Sequence, residues 1–123
     1  MSDTDQALME KARQALDDAR LLLQHKRAEA AVNRAYYAAF HAARAALLTE
    51  DETPSSHAGV KTRFSYHFVR TGRIPHATAS TLAEAETMRN RADYDAFAVF
   101  ELDAAADMIN DVEQLIEAIA DVR

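Results

Sequence analysis

Asn33, Tyr37, His41 and Arg44 recur three and four residues apart in an alanine-rich run. On a helix that spacing puts an amide, a phenol, an imidazole and a guanidinium on one face, with Arg34 at its edge. A helix that buries apolar surface carries such a polar stripe where it faces a ligand, a partner or a cleft. Further along, Arg89, Asn90, Arg91 and Tyr94 gather in one stretch, and His57 follows Ser55 and Ser56. These residue types suit phosphodiester chemistry on RNA. RNA carries its own nucleophile, the 2′-hydroxyl, so cleavage needs a proton acceptor beside that hydroxyl and cations on the phosphate. Arg34, Arg89 and Arg91 are candidate phosphate clamps, and His41 and His57 are candidate proton carriers because imidazole titrates near neutrality. Asn33 is the amide on the same face.

Each of these groups also has a structural role open to it. His41 suits a hydrogen bond between packed helices, and Arg89 and Arg91 can pair with Asp93 and Asp95 at a helix end. Tyr36 is expected in the core, while Tyr37 lies on the stripe. The five histidines form no metal-ligand pattern, and there is no His-Glu-x-x-His. No Gly-rich phosphate loop is present, and Ser55-Ser56-His57 reads as a helix cap. Neither a metal nor a cofactor is expected.

The elements that must position these groups are helices. Two glycines, two prolines and abundant Ala, Leu, Glu and Arg predict an all-α fold with long elements. A first helix, capped by Ser2, Asp3 or Thr4, runs to about Gln24 and buries Leu8, Ala12, Ala15, Leu16, Ala19, Leu22 and Leu23. The second spans about Ala28 to Leu48, and its many alanines allow close approach of its neighbours. After a loop over 49–56, Ser55 or Ser56 caps a third helix that ends near Val69 or Arg70, with Gly72 as its left-handed stop. A fourth is predicted from about Ala77 to Arg91, with Thr81 and Glu84 matching a capping box that would start it later. A fifth runs from about Phe97 to Val122, burying Phe97, Phe100, Ala104, Met108, Val112, Leu115 and Ile119. Short connections favour an antiparallel bundle of four to five helices in one domain covering 1–123.

Composition narrows the function further. Hydrophobic residues make up 49% of the 123, which suits a packed core rather than disorder. The absence of cysteine excludes disulfides and thiolate sites and fits the cytoplasm. The acidic N-terminus is wrong for a signal peptide, and no apolar run reaches bilayer length. A net charge of −6 argues against a general coat for duplex DNA. That charge is uneven, since no Asp or Glu lies between Thr53 and Ala83. The interval holds Lys61, Arg63, Arg70 and Arg73 among aromatics and histidines. It reads either as a surface for single-stranded nucleic acid, with Lys61 and Arg63 on phosphates, or as a solvated helix with Phe64 and Phe68 in the core.

The stretches 33–43, 56–60, 67–72 and 89–94, taken in order, resemble the HEPN superfamily, and within it a small stand-alone prokaryotic branch. The resemblance implies a helical bundle that dimerises, with a cleft between the second helix and the end of the fourth shared across the homodimer. It implies binding of RNA or a nucleotide, metal-independent endoribonuclease activity in many members, and a toxin–antitoxin pairing with a small nucleotidyltransferase. Others in the family act as interaction modules. Taken with the residue chemistry, the candidate catalytic residues are Arg89, His41 and Asn33, and the candidate binding residues are Arg34, Tyr37, His57, Arg91 and Tyr94 with Lys61 and Arg63 of the acid-free run. The family's nucleases place a His four to six residues after the Arg. Here Arg89 is followed by Asn90, as the pattern asks, but Tyr94 and Asp95 stand where the His would fall. A phenol with a pKa of about 10 does not replace an imidazole. His41 or His57 must therefore substitute in space, or the domain does not cleave RNA. In some members a Tyr beyond the motif is modified by the transferase, and Tyr94 lies near that place.

Overall fold

The computed structural model describes residues 3–123, so Ser2 lies outside the described residues. α1 (Asp3–Gln24) buries one stripe, Met9, Ala12, Ala15, Leu16 and Ala19, with Leu8, Leu22 and Leu23 partly buried beside it. Asp3 and Thr4 are already helical, and Asp3 and Asp5 meet the positive end of the dipole. α2 (Ala28–Leu48) is buried on most sides and contributes eight fully covered alanines. Side chains that small let α1 and the later helices approach its backbone closely.

The α1–α2 turn is a Schellman closure. The Arg27 amide donates to Leu22 O at 2.9 Å and the Lys26 amide to Leu23 O at 2.9 Å, which requires Lys26 at φ 61°. Asp51, at φ 58°, closes α2 in the same way. Side chains in that region are strained. Lys26→Gly and Asp51→Gly are each expected to raise the unfolding free energy by about 0.5–1 kcal/mol, read from urea midpoints. An unchanged midpoint at both positions would refute the strain.

α3 (His57–Phe64) is capped by Ser56, whose Oγ accepts from the Gly59 amide at 2.9 Å. It widens into a π-helical turn, Ser65–Val69, closed by the Arg70 amide on Ser65 O. Phe64 and Phe68 are buried and stacked 5.3 Å apart. Gly72 takes φ 77°, as its position after the helix predicts. The fourth helix divides into a single turn, α4 (His76–Ala79), and α5 (Thr81–Tyr94). The Ser80 hydroxyl donates to Ala77 O instead of capping α5, and Thr81, expected as a cap, is the buried first residue of the helix.

α6 (Leu102–Val122) starts later than the apolar pattern suggests. Asp95 folds the chain back, its Oδ1 accepting from the Phe97 amide at 2.9 Å. Phe97, expected in the core, is 93% exposed, and Phe100 is only half-buried. Ala104 is exposed and Ala105 is buried in its place. From Met108 onward the expected stripe holds, with Val112, Leu115 and Ile119 covered. Arg20 pairs with Glu113 across α1 and α6, and Arg123 lies 3.6 Å from Asp5, joining the start of α1 to the end of α6. Among the described residues no helix is long and apolar enough to cross a membrane.

Candidate functional site

Three helices supply the site. Asn33, Tyr36, Tyr37 and Phe40 come from α2. Glu86, Arg89 and Asp93 come from one face of α5, and His57 and Lys61, one turn apart, come from α3. The first of two adjoining networks is centred on Arg89. Its Nη2 donates to the Tyr37 hydroxyl at 2.9 Å and its Nη1 to Asn90 Oδ1 at 2.8 Å. Its Nε lies 3.1 Å from Asp93 Oδ2 as an ion pair, without the alignment of a hydrogen bond. Asn33 Nδ2 donates to the same carboxylate at 3.2 Å. Burial works against the Arg89 charge, but Tyr37, Asp93 and Tyr94 more than offset it and raise its pKa. The guanidinium carbon sits 5.5 Å from the ring centres of both Tyr36 and Tyr37. Arg89 and Asn33, expected in one cleft, are thus brought together through Asp93.

The second network orients His57. Its Nδ1 contacts the Tyr36 hydroxyl, and that hydroxyl donates to Glu86 Oε2 at 3.3 Å. Glu86 in turn accepts from Lys61 Nζ. Burial, and after it Glu86, pushes the Tyr36 phenol well above its ordinary range, so it stays protonated. The phenol has one proton and two neighbours, and the carboxylate is the stronger acceptor. With the phenol proton directed to the carboxylate, a hydrogen on His57 Nδ1 would be donated to the phenol oxygen, the tautomer that leaves the Nε2 lone pair free. The imidazole is stacked on Phe40 at 4.4 Å and remains half-exposed. Tyr36 is core, as expected, yet it also holds the histidine. Glu86 was not singled out in the sequence. The available signal was its place three residues before Arg89, on the same face of one helix.

His41 lies one turn along α2, its ring centre 6.1 Å from that of Tyr37. Its Nδ1 is buried without a hydrogen-bond partner among the described residues. Burial, followed by the charges of Lys11, Arg44 and Arg34, lowers its pKa to about 4. The imidazole is therefore neutral at pH 7 and a poor base. A folded pKa below the unfolded value means that the unfolded chain takes up the proton first as pH falls. The stabilisation is complete above about pH 6.5 and is lost on the way down to about pH 4. His41 is half-exposed, so after solvent screening the loss is about 1 kcal/mol. Denaturant titrations from pH 7 to pH 4 should show it, and His41→Gln should flatten the curve. An identical slope in the variant would disprove this protonation account.

The other expected binding residues are more scattered. Lys61 is paired with Glu86. Arg63 Nε lies 2.7 Å and 2.8 Å from the Glu52 oxygens, and His67 meets the same carboxylate. Arg63, opposed by some burial and aided by His67, holds the Glu52 carboxyl below its usual range. Arg73 pairs with Glu50. The acid-free run is thus met by carboxylates just outside it on either side. Arg91 is exposed and lies over Phe100 at 5.2 Å, outside both networks. Tyr94 is exposed, with Arg89 5.9 Å from its ring centre. A groove of about 310 Å³ opens beside the Arg89 network, lined by Asn33, Arg34 and Asp93 among others. Among the described residues no three His, Cys, Asp or Glu side chains gather as a metal-binding group.

A family model described as the HEPN domain matches residues 6–122. A "UPF0332 protein" of Thermotoga maritima is 37% identical over 109 residues, covering 89% of this chain and 83% of the relative. "Putative toxin MJ0605" of Methanocaldococcus jannaschii is 42% identical over 89 residues, 72% of this chain and 66% of that protein. "UPF0332 protein glr0978" of Gloeobacter violaceus is 37% identical over 94 residues, 76% of this chain and 75% of the relative.

Proposed function

The chain belongs to the HEPN family, and from that premise we propose that it is the toxin-type member of a toxin–antitoxin pair, binding and cutting RNA in the α2–α3–α5 cleft. The toxin designation of the Methanocaldococcus relative supports the first part. One observation carries the second: the Arg89 guanidinium and the His57 imidazole border the same pair of rings, Tyr36 and Tyr37. In this reading His57 Nε2 takes the proton of the 2′-hydroxyl, whose oxygen attacks phosphorus. The bond to the 5′-oxygen breaks, and that oxygen takes a proton from water. Arg89 steadies the charge that builds on the phosphoryl oxygens, with Tyr37 as a further donor. The products are a 2′,3′-cyclic phosphate and a 5′-hydroxyl.

The test is purified protein on single-stranded RNA in EDTA, with the ends of the fragments identified. Cyclic phosphate ends are expected, and intact RNA would reject the nuclease assignment. A second reading has its own support. The three Arg89 nitrogens already face Tyr37, Asn90 and Asp93, as in a structural pin, and a non-catalytic module that docks a nucleotidyltransferase needs no more. Binding to a nucleotidyltransferase encoded beside it, without RNA cleavage, would select that reading.

We propose the segment after α5 as the homodimer contact, because Phe97 and Val99 are 93% and 79% exposed there and a second copy seated on them would cover that apolar surface. Phe97→Asp is expected to convert a dimer into a monomer in sedimentation experiments. A dimer that persists moves the interface elsewhere.

A further inference from the structure

α3 carries His57 and α5 carries Arg89, and both helices lie against α2. A groove of about 210 Å³ opens between α3 and α5, lined by Lys61, Phe64 and Leu82 among others. Glu86 on α5 meets both polar side chains that α3 brings to it. Its Oε1 accepts from Lys61 Nζ, and its Oε2 lies 4.0 Å from His57 Nδ1. The same Oε2 accepts the Tyr36 hydroxyl at 3.3 Å, and that hydroxyl contacts His57 Nδ1. One carboxylate thus gives one oxygen to Lys61 and the other to the Tyr36–His57 pair. The Glu86 side chain is 16% exposed against 38% for Lys61. A mostly covered carboxylate is costly without its cation, so the ammonium keeps Glu86 turned inward. Lys61 is one turn from His57 and Glu86 one turn from Arg89, so their ion pair also ties the helix of the proton acceptor to the helix of the clamp.

We propose that Glu86 and Lys61 are positioning residues: the carboxylate, anchored by the ammonium, selects through Tyr36 the His57 tautomer whose Nε2 is free. A charged acceptor draws the single phenol hydrogen away from the imidazole. A neutral amide in its place competes weakly, and the phenol turns its hydrogen to Nδ1. The imidazole hydrogen then sits on Nε2, where it blocks proton uptake from a 2′-hydroxyl. Lys61 acts here through Glu86 rather than on a phosphate. The consequence for catalysis rests on the nuclease reading, while the tautomer exists with or without RNA cleavage.

The test is NMR of the full chain carrying nitrogen-15 histidine, at about pH 8.5, above the ordinary range of imidazole. Wild-type His57 is expected to bear its hydrogen on Nδ1, and Glu86→Gln to move it to Nε2. Lys61→Met should give a mixture of the two forms, and Lys61→Arg should restore the first. The exposed His25 should be the same in all four proteins. A thermal melt confirms that each variant is folded. A wild-type hydrogen on Nε2, or a tautomer unchanged by Glu86→Gln, overturns the proposal. In RNA cleavage, Lys61→Met should lower kcat by at least about tenfold and leave KM unchanged. A normal kcat with a raised KM and a shallower salt slope would make Lys61 a phosphate contact and overturn its positioning role. If the tautomers shift as expected and wild-type protein leaves RNA intact, the nuclease reading fails and the positioning stands.

Discussion

Arg89→Ala is expected to slow RNA cleavage by about 10²–10³-fold, the usual cost of deleting one preorganised donor to a developing negative charge. The side chain is well placed for such an effect. It is mostly covered, it stays charged, and its fork is fixed by Tyr37 and Asp93. Arg89→Lys should restore only part of the rate, because an ammonium keeps the charge and loses the planar fork. Cleavage rates read beside a thermal melt separate this role from a structural one. A variant that melts early but cuts normally when folded would make Arg89 the pin of the second reading.

His57→Ala has a comparable expected effect, a loss of about 10²–10⁴-fold, as for the removal of a general base. Its orientation makes a sharper prediction. Tyr36→Phe keeps the ring and the stacking but deletes the hydroxyl between His57 and Glu86. The imidazole would then no longer be held with Nε2 free, so the rate should fall by at least about tenfold and the pH–rate profile should change shape. Binding of RNA should be little affected. If His57→Ala cuts RNA at the normal rate while His41→Ala does not, the proton carrier has been misassigned between the two histidines.

The helices were largely legible in the sequence. α1 and α2 follow the periodicity of Leu and Ala, and Gly72 follows the π-helical turn that continues α3. Ser80 and Asp95 were less legible. Each makes a local turn with its own side chain, which divides α4 from α5 and leaves Phe97 outside a helix whose apolar spacing includes it. In the candidate site, the stripe on α2 and the arginine on α5 could be read directly. The groups that determine their chemistry could not, because Glu86 reaches Tyr36 and Glu52 reaches Arg63 only through the folded chain. A charge count along the sequence made the segment from Thr53 to Ala83 look basic, and its partners turned out to flank it.

The eight covered alanines of α2 carry a consequence for divergence among related chains. Any larger side chain at those positions would wedge entire helices apart, so drift there is closed off. Positions 33, 34, 37, 41 and 44 project from the same backbone without being fully enclosed, and there replacement leaves the scaffold standing. Ligand preference can therefore be rewritten along a single face while the architecture stays constant, and a saturation-mutagenesis map of α2 should show tolerated and forbidden sites interleaved along the helix.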